Sequence, residues 1–395
     1  MAKKASRDLN DGCNELASAF GGTPLHIHIP SLKATAVGAG GEPAQGLASL
    51  GIEDAEQLVA LSNTDEKHKH LAASLGISHQ ALETHVKEAR KVLRPPTLLE
   101  METPLPPLYA MGAIAPDGDV SAAAEPFSMP PLGLPSTVNL IPSMSAIRNQ
   151  GQRGTCVSFA LTAINEYVRA VQGHPVDLSE QHLYHEIKLI DGSPASCGTW
   201  QKFGAQVLAS RGQCREVIWP YNPNLPCNNN GVMPANARRD AAAYKVALSP
   251  LNPKDVLALK SALAARKPVG ISIPVFNSWY TSPETKRSGR ITMPLANDPQ
   301  VGGHALTAVG YQDLPSSPGG GYFIIRNHWS TAWGYQNPYG HGYGVIPYQY
   351  ITSYNWEAYT LSGGVGDADI APSPHAEPAK TVTLSLRGNV NLIIE

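Results

Sequence analysis

The chain has little net charge, few cysteines and no long apolar run. Its 395 residues include 30 lysines and arginines against 32 aspartates and glutamates, so neither nucleic acid nor a membrane is indicated as a partner. No apolar stretch reaches the length needed to cross a bilayer. Arg7, Asp8 and Asp11 interrupt the N-terminus where a signal peptide needs an apolar core. These features predict a cytoplasmic protein, and export by a specialised route stays open.

The scarcity of cysteine excludes a dense disulfide framework. Five cysteines spread over the chain leave at least one unpaired within a monomer. No metal or cofactor is expected. His26 and His28 share one side of a predicted strand, TPLHIHIP, but two histidines without a third ligand are more typical of the polar face of an edge strand than of a metal site.

Composition divides the chain into five segments. The sequence predicts an N-terminal segment with one strand (1–45), a small helical module (46–94), a proline-rich linker or propeptide-like segment (95–136), a compact region (137–361) and a tail with one strand (362–395). In the compact region helical patterns come first and alternating strand patterns follow. This order indicates an α+β fold.

The module at 46–94 contains an internal echo, because ASLGI occurs at 48–52 and again at 73–77. Ser78 is a suitable N-cap for the second helix, and Gly76 suits the end of the helix before it. The pattern resembles small helix-hairpin-helix modules, although a nearly even charge balance argues against phosphate binding. Docking of a protein partner and a purely structural cap are the two alternatives.

Cys156 stands between a glycine-rich turn and an apolar helical pattern in GQRGTCVSFA. A cysteine in such a run is most often a small buried hydrophobe. Its position at the start of the helix is the reason to weigh a second interpretation. Unpaired backbone N–H groups and the helix dipole would stabilise a thiolate there and lower the pKa of the thiol.

Three distant segments contain the groups that a nucleophilic thiolate needs. His304 opens an alternating strand in VGGHALTAVGY and could exchange a proton near neutral pH. Asn327 ends the strand YFIIRN and could orient the imidazole, with Trp329 close enough to shield that contact. Gln150 lies across a turn from Cys156, so its side-chain amide and the Cys156 N–H could stabilise an oxyanion.

Residues 137–361 resemble the papain family of cysteine peptidases, particularly its bacterial members. NQGQRGTCVSFA is similar to the family's glutamine-to-cysteine motif, DLSEQHLYHE to its LSEQ helix, GGHALTAVGY to its histidine strand, and RNHWSTAWG to its asparagine segment. The four motifs also follow one another in the family's order. The resemblance implies a two-lobed fold, with a helical lobe and a β-barrel-like sheet lobe, preceded here by the helical module.

The resemblance also implies roles for individual residues. Cys156 would be the nucleophile, His304 the general acid and base, Asn327 the orienting residue and Gln150 an oxyanion donor.

A second set of residues would bind substrate or border the cleft, although core packing is an equally good interpretation of the tryptophans. This set comprises Gly198, Gly303, Trp329 and Trp333.

The sequence departs from the family's pattern at several positions. Arg153 stands where many members have a disulfide-forming cysteine, so that bridge to Cys197 cannot form, in agreement with a reducing compartment. Cys214 and Cys227 could still pair with each other or with Cys197. Val157, His328 and Ser330 replace the more usual tryptophan, serine and glycine. None of these changes removes a catalytic group.

The predicted function is that of a cysteine endopeptidase that hydrolyses polypeptides through an acyl-thioester on Cys156. A catalytically silent peptide-binding protein and an acyl transferase on the same scaffold are the alternatives. Residues 1–136 show no resemblance to the long helical propeptide of secreted members. We nevertheless expect the proline-rich segment 95–136 to cross or border the cleft and control access, as in a zymogen.

Overall fold

The computed structural model describes residues 46–118 and 133–364. The strand predicted around His26 and His28 and the strand predicted in the tail lie outside these ranges. The described residues form a helical module, an extended segment and a two-part region in which helices pack against one antiparallel sheet.

The module at 46–94 is helical, as predicted. After a short 3₁₀ turn at Leu47–Leu50, its helices are α1 (Ala55–Ala60), α2 (Asp65–Leu75) and α3 (His79–Val92). The side chains of Asp54, Thr64 and Ser78 cap the three N-termini by accepting backbone hydrogen bonds. Gly76 ends α2 with a left-handed φ of 63°, which glycine adopts without strain.

The proline-rich segment contains a helix that the sequence analysis missed. Helix α4 (Pro95–Glu102) begins with two prolines. Backbone N–H groups in the first turn of a helix have no partner within the helix, so proline loses nothing there. The side-chain amide of Asn63 donates to the carbonyl of Met101 at 3.0 Å, which ties α4 to the module. The module therefore continues past its predicted end at residue 94.

The helical half of the catalytic region surrounds a central helix. Its helices are α5 (Cys156–Val171), α6 (Glu180–Lys188), α7 (Gln201–Ser210) and α8 (Ala237–Ala241). Every residue of α5 from Cys156 to Arg169 is buried, because α6 and α7 pack on one side of it and the sheet on the other. Thr307 donates a hydrogen bond to the carbonyl of Ala160 and joins this helix to the sheet.

The sheet half has seven strands and four helices among the described residues. The strands are β1 (Thr137–Asn139), β2 (Leu248–Pro250), β3 (Val269–Phe276), β4 (Gln300–Asp313), β5 (Gly321–Arg326), β6 (Tyr343–Pro347) and β7 (Glu357–Leu361). The helices are α9 (Val256–Ala264), α10 (Asn277–Tyr280), α11 (Pro283–Ser288) and α12 (Tyr348–Tyr354).

Strand β4 lies at the centre of the sheet. The order is β2-β7-β3-β4-β5-β6, all neighbours are antiparallel, and β1 also pairs with β4. In this register Ile273 of β3 faces His304, and Thr307 faces Arg326 at the end of β5. The end of β5 therefore brings Asn327 towards the start of β4, where His304 lies.

The helical module is docked on the catalytic region. Arg290 forms ion pairs with Asp54 of the module and with Glu284 of α11. Backbone N–H groups of Met293 and Ala296 donate to the carbonyl of Leu50 and the hydroxyl of Ser74 at 2.9 and 2.6 Å. Buried apolar residues of the module belong to the same core as those of the sheet. The module thus has a docking partner within its own chain.

A disulfide joins Cys197 to Cys227. This is one of the pairings that the sequence left open, and it means that the missing bridge at Arg153 no longer argues for a reducing compartment. Cys214 is a buried free thiol, as is Cys156. Among the described residues no helix is long and apolar enough to cross a membrane.

Candidate active site

Cys156 is the first residue of α5, as the sequence predicts. The turn before it leaves the backbone N–H groups of the first helical turn pointing towards the sulfur side of the helix. The backbone of Ala305, Gly112 and Val157 lies close enough to the thiol to act against the rise in its pKa. Ala305 is the neighbour of His304, so the sulfur lies beside the start of β4.

His304 and Asn327 form the expected pair. The Nε2 atom of His304 lies 3.0 Å from Oδ1 of Asn327, and both side chains are buried. The Nδ1 atom of His304 has no hydrogen-bond partner among the described residues. The indole of Trp329 stacks on the imidazole with 4.3 Å between ring centroids and excludes water from the histidine-asparagine bond. This geometry leaves one ring nitrogen available for proton exchange with Cys156.

Gln150 is buried beside the same turn. Its Nε2 donates to the carbonyl of Arg153 at 2.8 Å and to the carbonyl of Ala110 at 3.1 Å. The first bond fixes the amide within the turn that leads to Cys156. The second occupies the donor that would otherwise be free for an oxyanion.

Arg153 holds the turn in place by noncovalent contacts, at the position where many papain-like enzymes have a disulfide-forming cysteine. Its guanidinium donates to Oε1 of Gln181 at 2.6 Å and lies 4.6 Å from the ring centroid of Tyr184. These contacts fasten the turn between Gln150 and Cys156 to helix α6. A buried cation thus replaces a covalent bridge at this point.

An extended stretch of the proline-rich segment, residues 105–115, fills the cleft; we refer to it as the strap. The N–H groups of Gly112 and Ala113 both donate to the carbonyl of Gly303, each at 3.0 Å. On the other wall, Thr199 donates to the carbonyl of Gly112 at 2.9 Å and accepts from Ile114 at 3.0 Å. The strap therefore bridges both walls by backbone hydrogen bonds and covers Cys156.

Side chains extend these contacts beyond the catalytic residues. The ring of Tyr109 stacks on Trp329 with centroids 4.4 Å apart and planes 4° from parallel. The hydroxyl of Tyr280 donates to the carbonyl of Tyr109 at 2.6 Å and accepts from its N–H at 3.0 Å. At the far end Trp200 donates to the carbonyl of Ala115 at 3.1 Å.

Burial under the strap decides the protonation of the catalytic pair. It raises the pKa of the Cys156 thiol to about 11, although backbone hydrogen bonds act in the opposite direction. It lowers the pKa of His304 to about 4, against the opposing effect of the Asn327 bond. The prediction of a lowered thiol pKa is wrong for this closed form. Desolvation by a distant segment outweighs the stabilisation from the helix end.

The residues predicted to bind substrate lie at different distances from the strap. Gly198 and Gly303 contact the strap directly, and a Cβ at Gly198 would lie 2.6 Å from the Ile114 side chain. Trp333 is buried behind Trp329, with 6.0 Å between the ring centroids, so its predicted place at the cleft edge stays a prediction. The sequence analysis gave no role to His328, whose ring contacts Gln150.

Comparisons with known proteins agree with this geometry. Residues 135–345 match the family model described as papain family cysteine protease. An uncharacterised peptidase C1-like protein of Acanthamoeba polyphaga mimivirus is 25% identical over 226 residues, which cover 55% of this chain and 69% of that protein. The cysteine proteinase COT44 of Brassica napus is 30% identical over 200 residues, covering 49% of this chain and 54% of the relative.

Among solved structures, xylellain, a cysteine protease from Xylella fastidiosa, superposes with a TM-score of 0.53 at 26% identity. The match covers 65% of this chain and 97% of xylellain. The expected α+β, two-lobed papain-like fold and cysteine endopeptidase activity are confirmed, and the silent peptide-binding alternative is not favoured. The family model covers more than half of the chain, and the chain therefore belongs to the papain family of cysteine proteases.

Proposed function

We propose that four residues carry the cysteine endopeptidase activity and that the strap holds them inactive in the intact chain. The observation that carries the proposal is the His304–Asn327 bond beside the thiol at the start of α5. Cys156 attacks the peptide carbonyl, His304 takes and later returns a proton, and Asn327 orients the ring. Gln150 and the Cys156 N–H stabilise the oxyanion.

The inactive state is supported by what the strap presents to the sulfur. Gly112 is the strap residue that influences the thiol, and its carbonyl accepts from Thr199 and not from the oxyanion donor. The strap carbonyl nearest the oxyanion donor is that of Ala110, two residues earlier. To form an acyl-thioester, a single carbonyl group must place its carbon at the thiol and its oxygen at the oxyanion donor. The strap therefore blocks the cleft without lying in it as a substrate does.

When the strap leaves, water reaches the cleft and the desolvation of Cys156 and His304 is relieved. The thiol pKa then falls and the imidazole pKa rises, which favours the thiolate and imidazolium pair. The chain would in this way function as a zymogen that acts on polypeptide substrates.

Two further assignments belong to the proposal. Similarity to the Xylella protein supports a bacterial type of papain-like enzyme. A cytoplasmic location and a protein partner for the helical module stay predictions, and the module's contacts with the catalytic region support the structural cap instead.

Covalent labelling tests the proposal. In a full chain that carries Gly112→Val to displace the strap, a peptidyl epoxide or fluoromethyl ketone should add one mass increment at Cys156. Adding Cys156→Ala to that chain should remove both the labelling and about four or more orders of magnitude of peptidase activity. Cys214→Ala is the control because Cys214 is the other free cysteine among the described residues. It should keep both labelling and activity.

Substitutions of the other three proposed catalytic residues should reduce peptidase activity by different amounts. His304→Ala should nearly abolish turnover, and Gln150→Ala or Asn327→Ala should cost roughly one to three orders of magnitude in kcat/KM. Full activity in His304→Ala would contradict the assigned base. Proteolysis that survives in Cys156→Ala would contradict the nucleophile.

A further inference from the structure

The side chain of His328 lies directly behind the oxyanion donor. Its Nδ1 is 2.6 Å from Oε1 of Gln150, and its Nε2 is 2.8 Å from the carbonyl oxygen of Ala305. The residue is only 4% exposed, and its ring packs against Phe159 of α5. A serine, which the resembling family usually has at this position, is too short to make both contacts.

The orientation of the Gln150 amide determines which ring nitrogen carries a hydrogen. The amide Nε2 faces two carbonyl oxygens, those of Arg153 and Ala110. A flipped amide would put its oxygen against both, so Oε1 must face the histidine. An amide oxygen only accepts hydrogen bonds. Nδ1 of His328 therefore carries the hydrogen and donates it to Gln150.

We propose that His328 is a positioning residue, whose Nδ1–H holds the Gln150 amide with its NH₂ group directed at the oxyanion. The proposal rests on the proposed function, because Gln150 has an oxyanion to stabilise only in a peptidase. Arg153 fixes the donor end of the amide and His328 fixes the acceptor end. With both ends held, the donor is already oriented before the oxyanion forms, which is the condition for electrostatic stabilisation of a transition state.

The ring of His328 faces an acceptor at each nitrogen, Oε1 of Gln150 at Nδ1 and the carbonyl of Ala305 at Nε2, so only the protonated ring donates at both positions. Burial and the neighbouring charges of His304 and Arg326 keep the pKa of His328 well below its ordinary value, while the Ala305 contact acts in the opposite direction. The His304 ring is also close, with 4.8 Å between centroids.

Two chemical probes separate this role from a general loss of structure. Acylation by a peptide ester requires the thiolate, the imidazole and the oxyanion donors, whereas alkylation by iodoacetamide forms no oxyanion and reports the thiolate and imidazole alone. Rates are measured on full-length chains that carry Gly112→Val, whose added side chain would overlap the Gly154 carbonyl and displace the strap, per active site titrated with a peptidyl epoxide. His328→Phe keeps a ring of similar shape but has no donor. His328→Asn keeps an N–H near the position of Nδ1.

His328→Phe should lower kcat for acylation by about 10–100-fold, with KM changed by less than about threefold. Alkylation should stay within about twofold of the rate with His328 intact, and His328→Asn should recover most of the lost acylation. In the Gln150→Ala background, His328→Phe should cause no further loss, because the residue acts through the amide.

Two results would overturn the proposal. One is an equal loss of alkylation in His328→Phe, which would place the effect on Cys156 and His304. The other is the same loss of acylation with Gln150 already removed. A Gly112→Val chain with His328 intact that is neither acylated nor alkylated would contradict the proposed peptidase function instead. A crystal structure of His328→Phe would then still decide the contact, because the Gln150 amide must leave its place if His328 holds it.

Discussion

The strap and the helical module adjoin each other in the chain, yet different forces attach them to the catalytic region. The strap is held mainly by backbone hydrogen bonds to Gly303 and Thr199 and by one aromatic stack on Trp329. The module is held by buried charges, since Arg290 is 3% exposed and pairs with Asp54 and Glu284. Backbone bonds depend little on side-chain identity, whereas a buried ion cluster accepts few substitutions.

This difference separates two tasks. The strap can block the cleft with many different sequences, because its hydrogen bonds use backbone N–H and carbonyl groups that almost every residue has. It needs only to be held in the cleft in an extended conformation. The module determines that place, since its docked helices fix where the strap begins. Helix α4 is the connection between them: Tyr335 donates from the catalytic region to Glu100, and the strap starts three residues after the helix ends.

The largest effect should come from breaking the ion cluster. Arg290→Met leaves Asp54 buried without its cation, while Glu284 keeps Arg287, and this should destabilise module docking by about 3–5 kcal/mol. Hydrogen exchange of residues 46–102 measures this free energy. Lys91→Met is the control, because Lys91 pairs with Glu88 on the exposed surface of the same module and should contribute at most about 1 kcal/mol. Equal effects of the two substitutions would show that the buried cluster does not anchor the module.

A smaller effect should follow from displacing the strap alone. A Cβ at Gly112 would overlap the carbonyl oxygen of Gly154, which is backbone and cannot move aside. Gly112→Val should therefore free the cleft and raise the initial peptidase rate of the full chain by about 10–100-fold, if the strap loses roughly 1.4–2.8 kcal/mol of binding. Module docking should stay unchanged in the exchange experiment.

Gly133→Val is the matched control, since nothing lies within 4 Å of a Cβ at Gly133. Its initial rate should equal that of the wild type. Deleting residues 1–130 removes the strap together with the helical module, and it should also raise the peptidase rate. If neither Gly112→Val nor this deletion changed the rate, residues 105–115 would not control access.

The sequence predicted well where the proposed catalytic residues lie on helices and strands, and it predicted their environment poorly. Each proposed catalytic residue lies in a short motif whose local pattern predicts a turn, a helix start, a strand start or a strand end. These residues are Gln150, Cys156, His304 and Asn327. The strap left no such pattern, because backbone bonds to distant residues require no particular side chains. Its extended character nevertheless supported the expectation that 95–136 meets the cleft, and residues 105–115 do.

The error in the thiol pKa has a physical origin. The pKa was predicted from the helix end at Cys156, but burial of the thiol in the folded chain raises it. Asp54 shows a related limit of local patterns, because it caps a helix and also pairs with Arg290, 236 positions away. Local patterns give backbone geometry and chemical identity. They do not give the desolvation that a folded neighbour imposes.

The smallest effect is the pH dependence of module docking. Burial raises the pKa of Glu53 to about 8, against the opposing charge of Arg290, and raises that of the neighbouring Asp54 to about 6. A carboxyl group whose folded pKa is raised binds its proton more tightly when docked. The contribution of Glu53 to the free energy of docking is therefore complete below pH 4.5 and is lost as the pH rises to about 8.

Docking of the wild-type module should therefore weaken between pH 5 and pH 8, by at most about 1.4 kcal/mol per pH unit for each group. Glu53→Gln should remove Glu53's share of this slope, and Glu88→Gln on the exposed face should leave it unchanged. Hydrogen exchange of residues 46–102, corrected for the intrinsic pH dependence of exchange, measures the slope. A wild-type slope that is flat or rising would contradict the sign. Strap closure should depend on pH with the opposite sign, because burial lowers the pKa of His304 to about 4 and the closed cleft therefore loses stability as the pH falls below 6.5.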